Sequence, residues 1–268
     1  DSYECTALHQ HASICNGDVS VLLELGANAN ALDKYGKSPL HFASCSCNVD
    51  AVKKLLEYGA NLNAVNDQGE TPLEHGLNCA QNSNLVYLSK IAEIFLGNGV
   101  AVSQKMKNAI FRIGENFEFH RANFNKDYLE ETDAALTNLY QLFDVPPVKS
   151  RVMHDGVSSI LVNATDWKKQ FDELWEYLVP SSSSAKTVQG EIIRIAGRIC
   201  DEIYRNGGAN WDKEFQKMGL AFVQHLSTQK PLEAGNIEKA HAIINTLNRD
   251  ADDTNLDYLP QMAVQWVL

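Results

Sequence analysis

Apolar residues recur along most of the chain at three- and four-residue intervals, the spacing of an α-helix with one buried face. The pattern is clearest late in the chain. Val188, Ile192, Ile195, Ile199 and Ile203 form one stripe that ends at Gly207-Gly208, a pair suited to terminating a helix. Trp167, Phe171, Leu174, Trp175 and Leu178 predict a helix starting at Asp166. Pro180 and the four serines Ser181 to Ser184 read as a loop. Trp211, Phe215, Phe222 and Leu226 predict a further helix, with Asn210 as its cap. Another is expected from about Asn236 to Asn248, with Ile237, His241 and Ile244 inward. Val157, Ile160, Leu161 and Val162 cluster in a stretch too short to assign as strand or helix.

Upstream, Ser103 is placed to cap a helix carrying Met106, Ile110, Ile113 and Phe117. A second helix, from near Asn125, carries Leu129, Leu136, Leu139, Tyr140 and Phe143. Pro146-Pro147 then stops the helix and marks a boundary. The pattern predicts an all-α chain with one unit over residues 1–145 and an all-helical, bundle-like unit over 150–268.

The first hundred residues repeat. Leu22-Leu23-Glu24-Leu25-Gly26-Ala27-Asn28-Ala29-Asn30-Ala31 returns 33 positions later as Leu55-Leu56-Glu57-Tyr58-Gly59-Ala60-Asn61-Leu62-Asn63-Ala64. Gly36 and Gly69 keep that offset, and each precedes a turn-to-helix signal: Ser38-Pro39-Leu40-His41 and Thr71-Pro72-Leu73-Glu74. An earlier copy, Thr6-Ala7-Leu8-His9, lies 32 residues before Ser38. Ser or Thr caps the first helix of each unit, Pro at its first position costs no hydrogen bond, and Gly after the second helix accepts positive φ. The third unit departs: Glu74 replaces His, and the interval between its helices grows around Gln81 to Leu88.

These motifs resemble the ankyrin repeat over about residues 1–102. The resemblance implies a helical solenoid whose units must stack to bury their apolar faces, with 103–143 as a capping hairpin. Leu22, Leu55 and Ile94 or Phe95 are expected between helix layers. His9 and His41 are then structural, linking adjacent units, and Cys15 and Cys47 are equivalent packing positions. The resemblance also implies a non-enzymatic protein-recognition module acting through its repeat tips and concave face. Carried onto this sequence, the tip residues are Lys34, Tyr35 and Lys37 in one turn and Asp67, Gln68 and Glu70 in the next, with Tyr35 the best single anchor. The stretch from Thr187 to Asp212 resembles small helical bacterial proteins, which brings no mechanism with it.

Charge adds a direction. Twenty-three Lys and Arg stand against 34 Asp and Glu, a net charge of −11. That balance disfavours nucleic acid or an anionic membrane, both of which need a basic face. Tyr3, Phe119, His120 and the tryptophans form no basic-aromatic stripe. No run approaches the roughly 18 apolar residues of a membrane span. Residues 1–102 hold 5 basic and 11 acidic groups, so a basic protein partner, and an immunity or antitoxin-like role against it, is one expectation.

Six cysteines without a C-x-x-C pair read as reduced thiols of a cytoplasmic protein. Residue 1 is Asp rather than Met; a removed leader and a segment of a longer chain both stay open.

The competing reading is an effector or enzyme with its chemistry in the second half. Its candidates would be His154, Asp155, Glu191 and His241 converging in one pocket. Glu238-x-x-His241 has the spacing of a carboxylate-bridged metal pair, but no second such pair accompanies it in this half. Glu191, Arg194, Arg198, Asp201, Glu202 and Arg205 read as a solvated ion-pair face. Ser181 to Ser184 lack the Gly and Lys of a phosphate loop, and Cys200 lacks a nearby His. Gly190 and Gly197, seven apart on one helix, point to close approach of another helix. The sequence motifs call for neither a metal nor a cofactor.

Overall fold

The computed structural model describes residues 3–228, 230–247 and 256–268. All regular structure among them is helical. The chain divides into two compact units, residues 1–149 and 150–268.

The first unit contains α1 (Ala7–Ala12), α2 (Ser20–Glu24), α3 (Pro39–Cys45), α4 (Val49–Glu57), α5 (Pro72–Asn78), α6 (Leu85–Gly97), α7 (Gln104–His120) and α8 (Lys126–Leu142). Several are too short to persist alone in water, so end chemistry and packing must hold them. Thr6, Ser38 and Thr71 each close a capping box with the residue three positions on: His9, His41 and Glu74. The helices stack in two rows: α1, α3, α5 and α7 form one, and α2, α4, α6 and α8 the other. Leu8, Leu40 and Leu73 recur at equivalent places and are fully buried, as are Leu55, Phe95, Phe117 and Phe143. The hairpin α7–α8 continues both rows without following the repeat consensus. Ser103 caps α7 and Asn125 caps α8.

The capping residues also join the units. The His9 Nε2–H donates to the Lys37 carbonyl at 3.0 Å, and the His41 Nε2–H to the Glu70 carbonyl at 3.1 Å. The Nδ1 of each ring accepts from its own helix cap, Thr6 or Ser38. In the third unit Glu74 does both jobs: Oε2 accepts from the Thr71 N–H at 3.0 Å, and Oε1 accepts from the Ser103 hydroxyl at 2.8 Å. Gly76 lets α5 approach α3 closely, since a Cβ there would sit 3.0 Å from Ser44.

The structure corrects several expectations in this unit. Cys45 and Cys79 are not reduced thiols; they form a disulfide closing 34 residues. A cross-link over such a loop removes about 3–4 kcal/mol of conformational entropy from the unfolded chain. Cys5, Cys15, Cys47 and Cys200 take no part in a disulfide. Cys47 is buried but Cys15 is exposed, so the two equivalent positions do not share one environment. Leu22 is half-buried, and its neighbour Leu23 fills the core of the short α2. α8 ends at Leu142, before Pro146, with Asp144 at positive φ.

The second unit contains α9 (Trp167–Leu178), α10 (Val188–Asn206), α11 (Lys213–Leu226), α12 (Ala234–Thr246) and α13 (Tyr258–Val267). α10 is central, packing on α9, α11 and α13. Gly197 faces the Trp175 ring, and a Cβ on Gly190 would lie 2.8 Å from the Leu178 carbonyl. Close helix approach therefore accounts for both glycines. Residues 151–164 form neither strand nor helix. The cap of α11 is Asp212, whose Oδ1 accepts from the Glu214 and Phe215 N–H groups. Asn210 instead donates to Glu202. α12 ends at Thr246, and the expected end at Asn248 lies outside the described residues. His241 is exposed rather than inward; Ala240, Ile243 and Ile244 are the buried side chains. α13, for which no expectation stood in the sequence pattern, buries Leu259, Met262 and Trp266.

The inter-unit histidines make stability depend on acid. Burial pushes the His41 imidazole down to about 4 from its ordinary 6.5, despite the hydrogen bond to the Glu70 carbonyl. Between those values the unfolded chain takes up a proton that the folded chain refuses. The stabilisation is complete above pH 6.5 and is lost as pH falls through about 4, a change on the order of 3 kcal/mol. Urea denaturation at pH 7 and pH 4.5 should show a larger acid loss for the natural chain than for His41→Gln. Equal losses in the two proteins would contradict this account.

Candidate functional site

Between the helix pairs the chain makes two projecting turns, each built on one side chain that replaces a missing backbone partner. Asp33 Oδ1 accepts from the Tyr35 N–H at 2.9 Å and the Lys37 N–H at 2.8 Å. Asn66 Oδ1 accepts from the Gln68 and Glu70 N–H groups, both at 2.9 Å. Both side chains are buried, so the turns are fixed from beneath. Gly36 lies at the apex with φ +70°, and a Cβ there would also meet Asp67.

Successive turns are stitched along the edge. The Lys34 N–H donates to the Tyr3 carbonyl and the Asp67 N–H to the Tyr35 carbonyl, each at 3.0 Å. The Lys105 ammonium reaches the Gly69 carbonyl at 3.3 Å. The result is a continuous ridge running across the units.

Lys34, Tyr35, Asp67 and Gln68 are exposed on that ridge, and Lys37 is half-buried. Glu70 is turned inward. Its carboxylate accepts from Asn66 Nδ2 at 3.1 Å, His75 Nδ1 at 2.8 Å and Asn78 Nδ2 at 2.6 Å. Burial raises its pKa, but these hydrogen bonds together outweigh burial and leave the carboxyl below its ordinary value.

Tyr3 is the residue the sequence reading missed. The Lys34 ammonium lies 3.8 Å from the Tyr3 ring centre and 4.9 Å from that of Tyr35, and the rings are 6.3 Å apart. Tyr35 keeps 47% of its surface exposed. A signal was present: Tyr3 precedes Tyr35 by 32 residues, the interval that separates Thr6 from Ser38. Beside the ridge, a cleft of about 310 Å³ is lined by Gln68, Glu74, Asn78, Lys105 and Arg112 among others. Its mixed charges and amides suit a polar peptide surface better than an apolar ligand.

The alternative chemistry is dispersed into local structure. His154 is buried, accepts from the Gly156 N–H through Nδ1 and donates from Nε2 to the Ser158 carbonyl. Asp155 accepts from the Ser158 hydroxyl and from the Ser158 and Val157 N–H groups, which hold it well below the usual carboxylate range. Glu191 pairs with Arg194 and caps Ala185. His241 bonds Asn245 one turn along its own helix. His154 Nε2 lies 4.0 Å from Asp155 Oδ1, and among the described residues no hydrogen bond or ion pair joins either of them to Glu191 or His241.

The solvated face of α10 also needs correction. Glu202 is buried and accepts from Asn206 and Asn210, whereas Arg205 and Asp201 pair in solvent. Burial pushes the Cys200 thiol up to about 12, which makes it a poor nucleophile at neutral pH.

The family pattern described as ankyrin repeats (3 copies) matches residues 1–66. That span holds α1 to α4 and reaches the base of the second turn. Ankyrin repeats are a protein–protein interaction module, generally without enzymatic activity. α5 and α6 keep the repeat geometry beyond the matched residues. No curated protein matches the chain. No helix among the described residues is long and apolar enough to cross a membrane.

The turn bases carry a testable cost. Asp33→Ala should strand two N–H groups and lose about 1–2 kcal/mol of stability. Asp33→Asn should lose little, because Asn66 already does the same work in the next turn. Urea unfolding of the two variants distinguishes them, and equal destabilisation would refute the assignment.

Proposed function

We propose that this chain recognises a protein partner along the ridge of repeat turns and the adjoining concave cleft. The observation that carries the reading is the Tyr3–Lys34–Tyr35 stack. It is an exposed aromatic pair with one ammonium within reach of both rings, set on turns whose backbone is already fixed. A fixed surface loses little entropy on binding, and Tyr side chains dominate binding hot spots. Asp67 and Gln68 extend the surface, while Lys37 and Glu70 support the turns from within. The finer reading is an immunity or antitoxin-like role against a basic protein. The excess of acidic over basic groups in residues 1–102 supports it, because opposite charge accelerates encounter.

Affinity capture with the intact chain, followed by calorimetry on the captured protein, tests both levels. Tyr35→Ala should weaken binding at least tenfold, the loss of one hot-spot side chain. A variant that binds every partner as tightly as the natural chain removes the ridge from consideration. For a basic partner the association rate should fall steeply as salt is raised. A salt-independent rate would leave ridge recognition standing and dismiss the charge argument.

A further inference from the structure

Three side chains gather at the C-terminal ends of α3 and α5. Cys45 ends α3 and Cys79 caps the C-terminus of α5, with Cα atoms 5.3 Å apart. His75 lies one turn before Cys79 on the same helix face, and its Nε2 is 3.9 Å from the Cys79 sulfur. One ring nitrogen of His75 and both sulfurs all lie within 4.8 Å of one another. The three residues are neither fully buried nor exposed.

The outer neighbours have the pattern of a ligand site. Glu70 accepts from His75 Nδ1 at 2.8 Å, so the proton sits on Nδ1 and the Nε2 lone pair faces the sulfurs. A carboxylate behind the histidine in this way fixes ring orientation and raises basicity at metal centres. Asn66 and Asn78 hold that carboxylate in turn. A hydrogen bond that aims a lone pair at two sulfurs is not needed to stabilise a disulfide.

We propose that Cys45, Cys79 and His75 form a redox-gated zinc site. Oxidised, the cysteines are joined and no ligand set exists. A phosphine or dithiol reductant supplies two electrons that break the S–S bond, and each sulfur takes a proton; the phosphine leaves as its oxide with oxygen from water, the dithiol as its disulfide. One Zn²⁺ then displaces both thiol protons and gains two thiolates and one imidazole. Tetrahedral zinc, with bonds of about 2.3 Å to sulfur and 2.0–2.1 Å to nitrogen, places its ligands about 3.6–3.8 Å apart. The Cys79–His75 separation is already close to that. Only the freed sulfurs must part, by rotation of side chains that are half-exposed. Two soft thiolates with an imidazole select zinc over calcium or magnesium. The fourth position stays open for water or a donor from a partner.

Cobalt(II) is the probe, because tetrahedral thiolate coordination gives it visible and charge-transfer bands. The phosphine-reduced full chain should bind one equivalent, which Zn²⁺ should displace, and the oxidised chain should bind none. The oxidised natural chain is the folded control without ligands. Cys45→Ser combined with Cys79→Ser should abolish the bands while keeping the other four cysteines as background. His75→Gln should lose the tetrahedral spectrum, and Glu70→Gln should weaken metal affinity 10–100-fold. Cobalt binding by the reduced chain no greater than by the double serine variant would overturn the proposal. So would affinity unchanged in His75→Gln, or equal binding by oxidised and reduced chains.

Discussion

The first unit depends on a polar contact that each repeat makes with the one after it. An inner helix begins with Thr or Ser, and the residue three positions on turns back to satisfy that cap. The same side chain then reaches the following unit: His9 to the Lys37 carbonyl, His41 to the Glu70 carbonyl, Glu74 to the Ser103 hydroxyl. One buried group thus sets where a helix starts and where the next unit sits. Burying an imidazole or a carboxylate is costly unless its polar atoms are paired. Here one half of the pairing lies within the unit, and the other half exists only when both units are folded and in register. The contact therefore couples units as well as stabilising them, as expected of an array whose stability lies in its interfaces.

Apolar packing follows from that register. With the inner helices placed, Leu8, Leu40 and Leu73 fall in line, and Leu55 and Phe95 close the outer row. Met106, Ile110 and Phe117 of α7 and Leu136, Leu139 and Phe143 of α8 cover the last exposed face. The turns inherit the same order. Their bases at Asp33 and Asn66 sit just upstream of the caps, so the exposed residues between them are held at fixed spacing along the ridge.

Much of this was readable from residue spacing. The 33-residue offset, the Ser/Thr-Pro openings and the helical stripes of α7 to α10 correspond to real helices, because each reflects a local rule of capping or periodicity. What escaped depended on contacts distant in sequence. The repeat register sets Cys45 against Asn78, one residue short of Cys79, so the cross-link had no signature in the alignment of units. Tyr3 falls one position out of the 33-residue register with Tyr35 because its own unit is one residue short. Asp212 rather than Asn210 caps α11 because Glu202 captures Asn210. His241 fits an inward stripe by spacing alone, yet Ala240, Ile243 and Ile244 supply a sufficient face and leave it outside. The turn residues were recoverable through the family resemblance, but the inward turn of Glu70 was not, since it depends on His75 and Asn78.

The exchange of histidine for glutamate in the third unit has a consequence for the order of the array. In the first two units the ring donates forward, to a carbonyl of the succeeding turn. In the third the carboxylate can only accept, so Ser103 donates backward to it. The chain of contacts thus has a grammar, in which two forward links are followed by a reversed one that ends the sentence. A histidine-type unit placed after Glu74 would offer it a carbonyl where it needs a hydroxyl. The units are therefore not interchangeable parts, and the length of the array is written into the chemistry of a single side chain.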